Sequence, residues 1–203
     1  MYVIRNSVKL LLKNVTLFLQ KVLPMPYFNT KDVVAVAMSA AYWAILNNTL
    51  SPLFWRMTHL PFLCDFLAMV SLIIVAWWTR KFGAVTITGL LVSALTLMLQ
   101  PNAFQMLGFI AASFLFDVLT RVIGYKNVFD RPLLSTLTLV AFSIIATWIA
   151  GLIIASIVMN IESFAGILTF SGLHAIGGLL GSIIGVIIVR ALNNRMITTI
   201  AHK

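Results

Sequence analysis

The stretch LLSTLTLVAFSIIATWIAGLIIASIVM, residues 133–159, contains no Asp, Glu, Lys, Arg, His or Pro. A hydrocarbon layer about 30 Å thick is crossed by about 20 apolar residues of helix. A helix is also the one linear segment that satisfies its own backbone groups inside lipid. Five more apolar segments accompany it, at residues 32–49, 60–78, 83–99, 103–123 and 164–192. The runs are too long for a β-barrel and lack its period-two alternation. The expected fold is therefore an all-α integral membrane protein, a six-transmembrane-helix bundle over residues 27–203 with no soluble module.

Composition agrees. The chain is 61% hydrophobic and 9% charged, against about 45–50% and about 25% in soluble domains. Its net charge of +9 would point to nucleic acid in a soluble protein. Here the cations sort by side of the membrane. With the N-terminus in the cytoplasm, the inside segments hold Arg5, Lys9, Lys13, Lys21, Lys31, Arg80, Lys81, Arg121, Lys126, Arg131, Arg190, Arg195 and Lys203, and the outside loops hold Arg56 alone. Cationic loops resist translocation, so both termini are expected in the cytoplasm and the chain in the cell membrane. The cations act as topological anchors that also favour anionic lipid head groups, and nucleic-acid binding is not expected.

Residues 1–26 precede the first span. Arg5, Lys9, Lys13, Thr16 and Gln20 form one polar stripe at helical spacing, opposite Val8, Leu11, Leu12, Val15 and Leu19. This reads as an interfacial amphipathic helix. A signal peptide is the rival reading, but the segment lacks an unbroken apolar run and a small-residue cleavage site. Pro24 and Pro26 end the helix.

In the first span, Ala37/Ala41 and Ala40/Ala44 form small-xxx-small pairs; in the last, Gly177, Gly181 and Gly185 stand four apart. Such stripes let helix backbones approach closely in lipid. The alanines fit either a sister span or a separate subunit, and the glycines fit helix packing.

Ionisable residues within spans are costly and mark function or a partner. Asp117 precedes Arg121 by one helical turn, the spacing of an ion pair. Asp65 lies one turn into the second span and could cap a pocket, bind a cationic group or pair with Arg56. His174 falls near mid-depth beside the glycine stripe. Enzyme signatures are missing: there is no HExxH, GxSxG or Walker motif. No catalytic activity, metal or cofactor is expected, and the single cysteine, Cys64, reads as a small packing residue.

The whole chain resembles the substrate-binding S component of an energy-coupling factor transporter. The resemblance rests on Lys31-Asp32, the alanine-rich VVAVAMSAAYWAIL at residues 33–46, and GLHAIGGLLGSIIGVIIVRAL at residues 172–192. It implies capture of a vitamin or vitamin precursor outside the cell. It further implies a transmembrane T component docking on Ala37, Ala40, Ala41 and Ala44, and two cytoplasmic ATPases that energise release. The family's outer pocket maps here onto Asn47, Trp55, Arg56, His59, Asp65, Gln105, Trp148, Glu162 and His174. The competing expectation is a non-catalytic accessory subunit of a larger membrane complex.

Overall fold

The computed structural model describes the backbone of residues 27–201 and the side chains within it apart from 132–134 and 196–201. The N-terminal interfacial helix expected over residues 1–26 lies outside the described residues. Among them, every regular element is helical: α1 Thr30–Thr58, α2 Phe62–Thr79, α3 Ala84–Leu99, α4 Met106–Ile123, α5 Tyr125–Asp130, α6 Pro132–Ile153 and α7 Phe164–Ala201. A π-helical turn, Ile154–Val158, continues α6.

Five of these helices are long and apolar enough to cross a bilayer; α3, with 16 residues, is shorter. At 1.5 Å per residue it extends about 24 Å, against a hydrocarbon core of about 30 Å. This falls short of the six full-length spans expected. The chain is thus an all-helical bundle whose long apolar helices are consistent with a multi-pass membrane protein.

Within the bundle, α2 packs on α7, α7 on α6, α6 on α4, α4 on α3, and α3 returns to α2. The glycine stripe of α7 faces α2. A Cβ at Gly177 would meet the Phe62 carbonyl and Asp65, one at Gly181 would stand 2.5 Å from the Phe66 carbonyl oxygen, and one at Gly185 would stand 3.1 Å from Ile73. On the other side of α7, Gly178 makes room for Thr147 of α6. Close backbone approach therefore holds α7 against both neighbours. Helix α1 joins through side chains. Ser71 donates to the Ser39 carbonyl at 2.9 Å, Asn48 donates to Thr96 at 3.0 Å, and the fully buried Trp43 meets Phe109 edge-on at 5.9 Å.

The outside loop expected between the segments 32–49 and 60–78 is mostly helix: α1 runs through Pro52 to Thr58. Ser51 donating to Asn47, Thr49 donating to Ile45 and Thr58 donating to Phe54 keep the polar side chains around Pro52 on helix-internal acceptors. His59 ends the helix in the left-handed region at φ 57°, its N–H on the Trp55 carbonyl.

Cations gather at one end of the bundle. From residue 32 onward, Arg80, Lys81, Arg121, Lys126, Arg131, Arg190 and Arg195 lie at the end where α2 gives way to α3 and α4 to α5, and Arg56 at the opposite end. Lys81 bonds Asp32 at 2.6 Å, tying this end to the first turn of α1. Arg80 pairs with Asp130 of α5 at 2.9 Å.

The Asp117–Arg121 ion pair does not form. Asp117 is fully buried and accepts from the backbone N–H of Gly83 and of Thr86, the Thr86 hydroxyl and the Tyr125 hydroxyl. Arg121 is exposed and has no ion-pair partner among the described residues. A buried carboxylate gains more from several aligned donors than from a cation already held by water.

A candidate ligand cavity at the cation-poor end

Six elements converge opposite the cationic end: the last turns of α1 and α3, the first turns of α2, α4 and α7, and the π-helical turn after α6. They enclose a cavity of about 350 Å³, at the lower end of the size of small-molecule sites. Its apolar wall includes Trp55, Met106, Phe109, Ile154 and Phe170; its polar groups are Asn47, Ser51, Thr96, Gln100, Gln105 and His174. Among the described residues no Lys, Arg, Asp or Glu lines it.

Local backbone features shape the wall. The extension of α1 past Pro52 carries Trp55 out to the rim, where it is 38% exposed and its ring lies 6.0 Å from that of His59. The π-helical turn brings Ile154 and Val158 to the wall and is closed by Met159 N–H on the Ile154 carbonyl at 2.8 Å. Such turns concentrate at functional sites. Gly108 leaves room for Ile154, so α4 and this turn meet closely beneath the cavity.

His174 and Asp65 form the deepest polar feature. His174 Nδ1 stands 2.7 Å from Asp65 Oδ2, with side-chain exposures of 3% and 0%. The separation is that of a charge-assisted contact, and two buried polar groups this close cannot be independent of one another. The outer atoms of the pair, Asp65 Oδ1 and His174 Nε2, are buried without a partner. Two glycines admit the pair: a Cβ at Gly177 would stand 2.8 Å from Asp65 Cβ, and one at Gly151 would stand 3.0 Å from His174 Cβ. The imidazole lies between Phe170, at 4.9 Å between centroids, and Phe109, at 6.4 Å.

Of the residues expected to form the site, Asn47, Trp55, Gln105 and His174 line the cavity. Asp65 is behind the wall, against His174, and not beside Arg56. Arg56, His59 and Glu162 are exposed and outside the lining, and Trp148, on α6, is 44% exposed and also outside it. Gln100, Phe109, Phe170 and the π-helical turn were not anticipated. A polar-residue search passes over the two phenylalanines, and a π-helical turn leaves no mark in an unbroken apolar run. Of the α1 alanines, Ala40 and Ala44 are buried, while Ala37 and Ala41 are exposed. Among the described residues no cluster of His, Cys, Asp or Glu could hold a metal ion. No protein-family model, curated protein or solved structure matches this chain.

Proposed function

We propose that this protein is the membrane-embedded capture subunit of an uptake system for a vitamin or vitamin precursor, similar to the S components of energy-coupling factor transporters. The observation that carries the reading is the cavity of about 350 Å³, with aromatic and uncharged polar walls, at the cation-poor end of the bundle. Under the positive-inside rule that end faces outward, with both termini in the cytoplasm of a cell-membrane protein. The short α3 serves as the sixth span, since local bilayer thinning accommodates a mismatch of a few ångströms. Release is energised by partners, a T component and two ATPases. The exposed Ala37 and Ala41 offer the T component a close-approach face on α1, while Ala40 and Ala44 pack inward.

The test is a thermal-stability screen of the purified protein against vitamins and their precursors. A ligand of the folded state at a hundred times its Kd stabilises by about 2.7 kcal/mol, a readily measured rise in midpoint. Co-purification with a T component and ATPases is expected alongside. No shift with any compound, together with stoichiometric recovery in an unrelated membrane complex, would replace this reading with that of an accessory subunit.

A further inference from the structure

We infer that the cavity takes an uncharged ligand, mostly apolar and flat, held through a ring nitrogen or carbonyl oxygen that accepts a hydrogen bond from His174 Nε2. The inference rests on the capture reading and adds the chemistry of what is captured.

Among the described residues the only ionisable side chains at the cavity are Cys64 and His174, both on its wall, and Asp65 immediately behind. Arg56 and Glu162 are exposed outside it. No Lys, Arg, Asp or Glu on the wall would balance a charged ligand, and a buried unpaired charge is strongly unfavourable. The five remaining polar wall residues, Asn47, Ser51, Thr96, Gln100 and Gln105, carry amides and hydroxyls, which donate and accept without selecting an ion.

The Asp65–His174 pair then fixes which partner the ligand must bring. Two protonation states leave the buried pair without net charge: a carboxylate beside an imidazolium, and a carboxylic acid beside a neutral imidazole. In the first, both ring nitrogens carry hydrogen. In the second, the acid donates to Nδ1, so the ring hydrogen sits on Nε2. A carboxylate beside an imidazole protonated only at Nδ1 leaves a net negative charge buried beside no cation. A neutral acid beside an Nδ1–H imidazole puts the acid hydrogen on Oδ1, which is buried with nothing to receive it. Electroneutrality and the isolation of Oδ1 together make Nε2 a donor. That nitrogen is buried and has no partner, a deficit that a ligand acceptor removes. Phe170, half-buried and itself on the wall, packs on the imidazole at 4.9 Å between centroids, so a ligand that takes its place meets the ring. Trp55, Phe109 and Phe170 supply faces for a flat ring.

The experiment uses the full chain in detergent or nanodiscs. A panel of flat heteroaromatic compounds is assembled as matched carboxamides, carboxylates and aminomethyl analogues of each ring. Binding is read by thermal shift and by protection of Cys64, the sole cysteine and a wall residue, from N-ethylmaleimide. Carboxamides should bind at least tenfold more tightly than their charged counterparts. The paired variant Asp65→Leu/His174→Phe, which removes both charges together, should lose at least tenfold in carboxamide affinity, and His174→Gln should recover a measurable part of that loss through its amide N–H. Charged analogues binding as tightly as neutral ones, or affinity unchanged in the paired variant, would overturn the inference while leaving capture intact. Should the paired variant fail to fold, the charge series and His174→Gln still decide. No compound of any charge giving either signal would remove the capture reading and this inference with it.

Discussion

Thr86 gives both its backbone N–H and its hydroxyl to one oxygen of Asp117, at 3.1 and 2.8 Å. The same oxygen takes the Gly83 N–H at 2.8 Å. Helix α3 carries no capping side chain of its own at Gly83, so the carboxylate of a different helix satisfies its first donors and complements its dipole. Asp117→Ala should therefore cost about 1–3 kcal/mol, since it strands several part-buried donors at once. Asp117→Asn, which keeps an acceptor oxygen, should cost clearly less, and Thr86→Val less than Asp117→Ala. Denaturant unfolding in a fixed detergent measures all three. Equal losses for Asp117→Ala and Asp117→Asn would show that the charge, rather than the acceptor geometry, does the stabilising.

The glycine stripe of α7 should respond in a graded way. At Gly177 an added Cβ meets the Phe62 carbonyl and Asp65, and at Gly181 it lies 2.5 Å from the Phe66 carbonyl, both on backbone that cannot yield cheaply. Gly177→Ala and Gly181→Ala should each cost about 1–3 kcal/mol, the range for overpacking. At Gly185 the nearest atoms belong to the Ile73 side chain, at 3.1–3.4 Å, which can shift slightly. Alanine also gains up to about 1 kcal/mol in helix propensity, so Gly185→Ala should be near neutral. Gly177→Ala should additionally weaken ligand binding by moving Asp65 against His174, whereas Gly181→Ala should not. Thermal midpoints with and without ligand separate the two effects, and equal behaviour at all three positions would contradict the close α2–α7 contact.

These relationships mark how far the sequence could be read. Long charge-free runs dictate helices, so the helical class and most element positions follow directly from residues 60–78, 103–123 and 133–159. The end of α1 is hard to read because Asn47, Asn48 and Pro52 have the composition of a loop, yet the hydroxyls and amides there find helix-internal acceptors. The sequence suggests Arg121 for Asp117 because spacing along one helix is visible in a sequence and the turn between two others is not. The same blindness applies to Asp65. Its contact is 109 positions away on α7, while Arg56, near in sequence, is turned out to water. His174 and Trp55 were legible because a histidine and an exposed-end tryptophan are rare in apolar helices. The aromatic and π-helical walls were not, because Phe and Ile are the ordinary material of every span.

Sidedness can be tested without a ligand. In a Cys64→Ser background, single cysteines at Lys126 and Glu162 sit in connections at opposite ends of the bundle. Both native residues are exposed. If the cationic end faces the cytoplasm, a membrane-impermeant maleimide should label the Glu162→Cys protein in intact cells and the Lys126→Cys protein only after permeabilisation. The reverse pattern would invert the proposed topology and place the cavity on the cytoplasmic side.

His59 separates stability from recognition. It is one of three non-glycine residues with positive φ among the described residues, at 57°, where an L side chain costs about 1–2 kcal/mol and glycine almost nothing. The backbone needs this conformation, because the His59 N–H closes the end of α1 on the Trp55 carbonyl at 2.8 Å while the chain turns toward α2. His59→Gly should therefore stabilise by about 1 kcal/mol, less the greater unfolded-state freedom of glycine, a rise in midpoint of about 2–4 °C for a chain of this size. The cost is the contact with Trp55, whose ring is 6.0 Å away. Since His59 does not line the cavity, ligand affinity should stay within about threefold. A thermal scan and a binding isotherm on the same preparation provide both readings. A higher midpoint with unchanged affinity assigns His59 to the helix terminus, whereas a lower affinity at unchanged stability would extend the recognition surface to the rim, through Trp55, where the sequence alone had placed it.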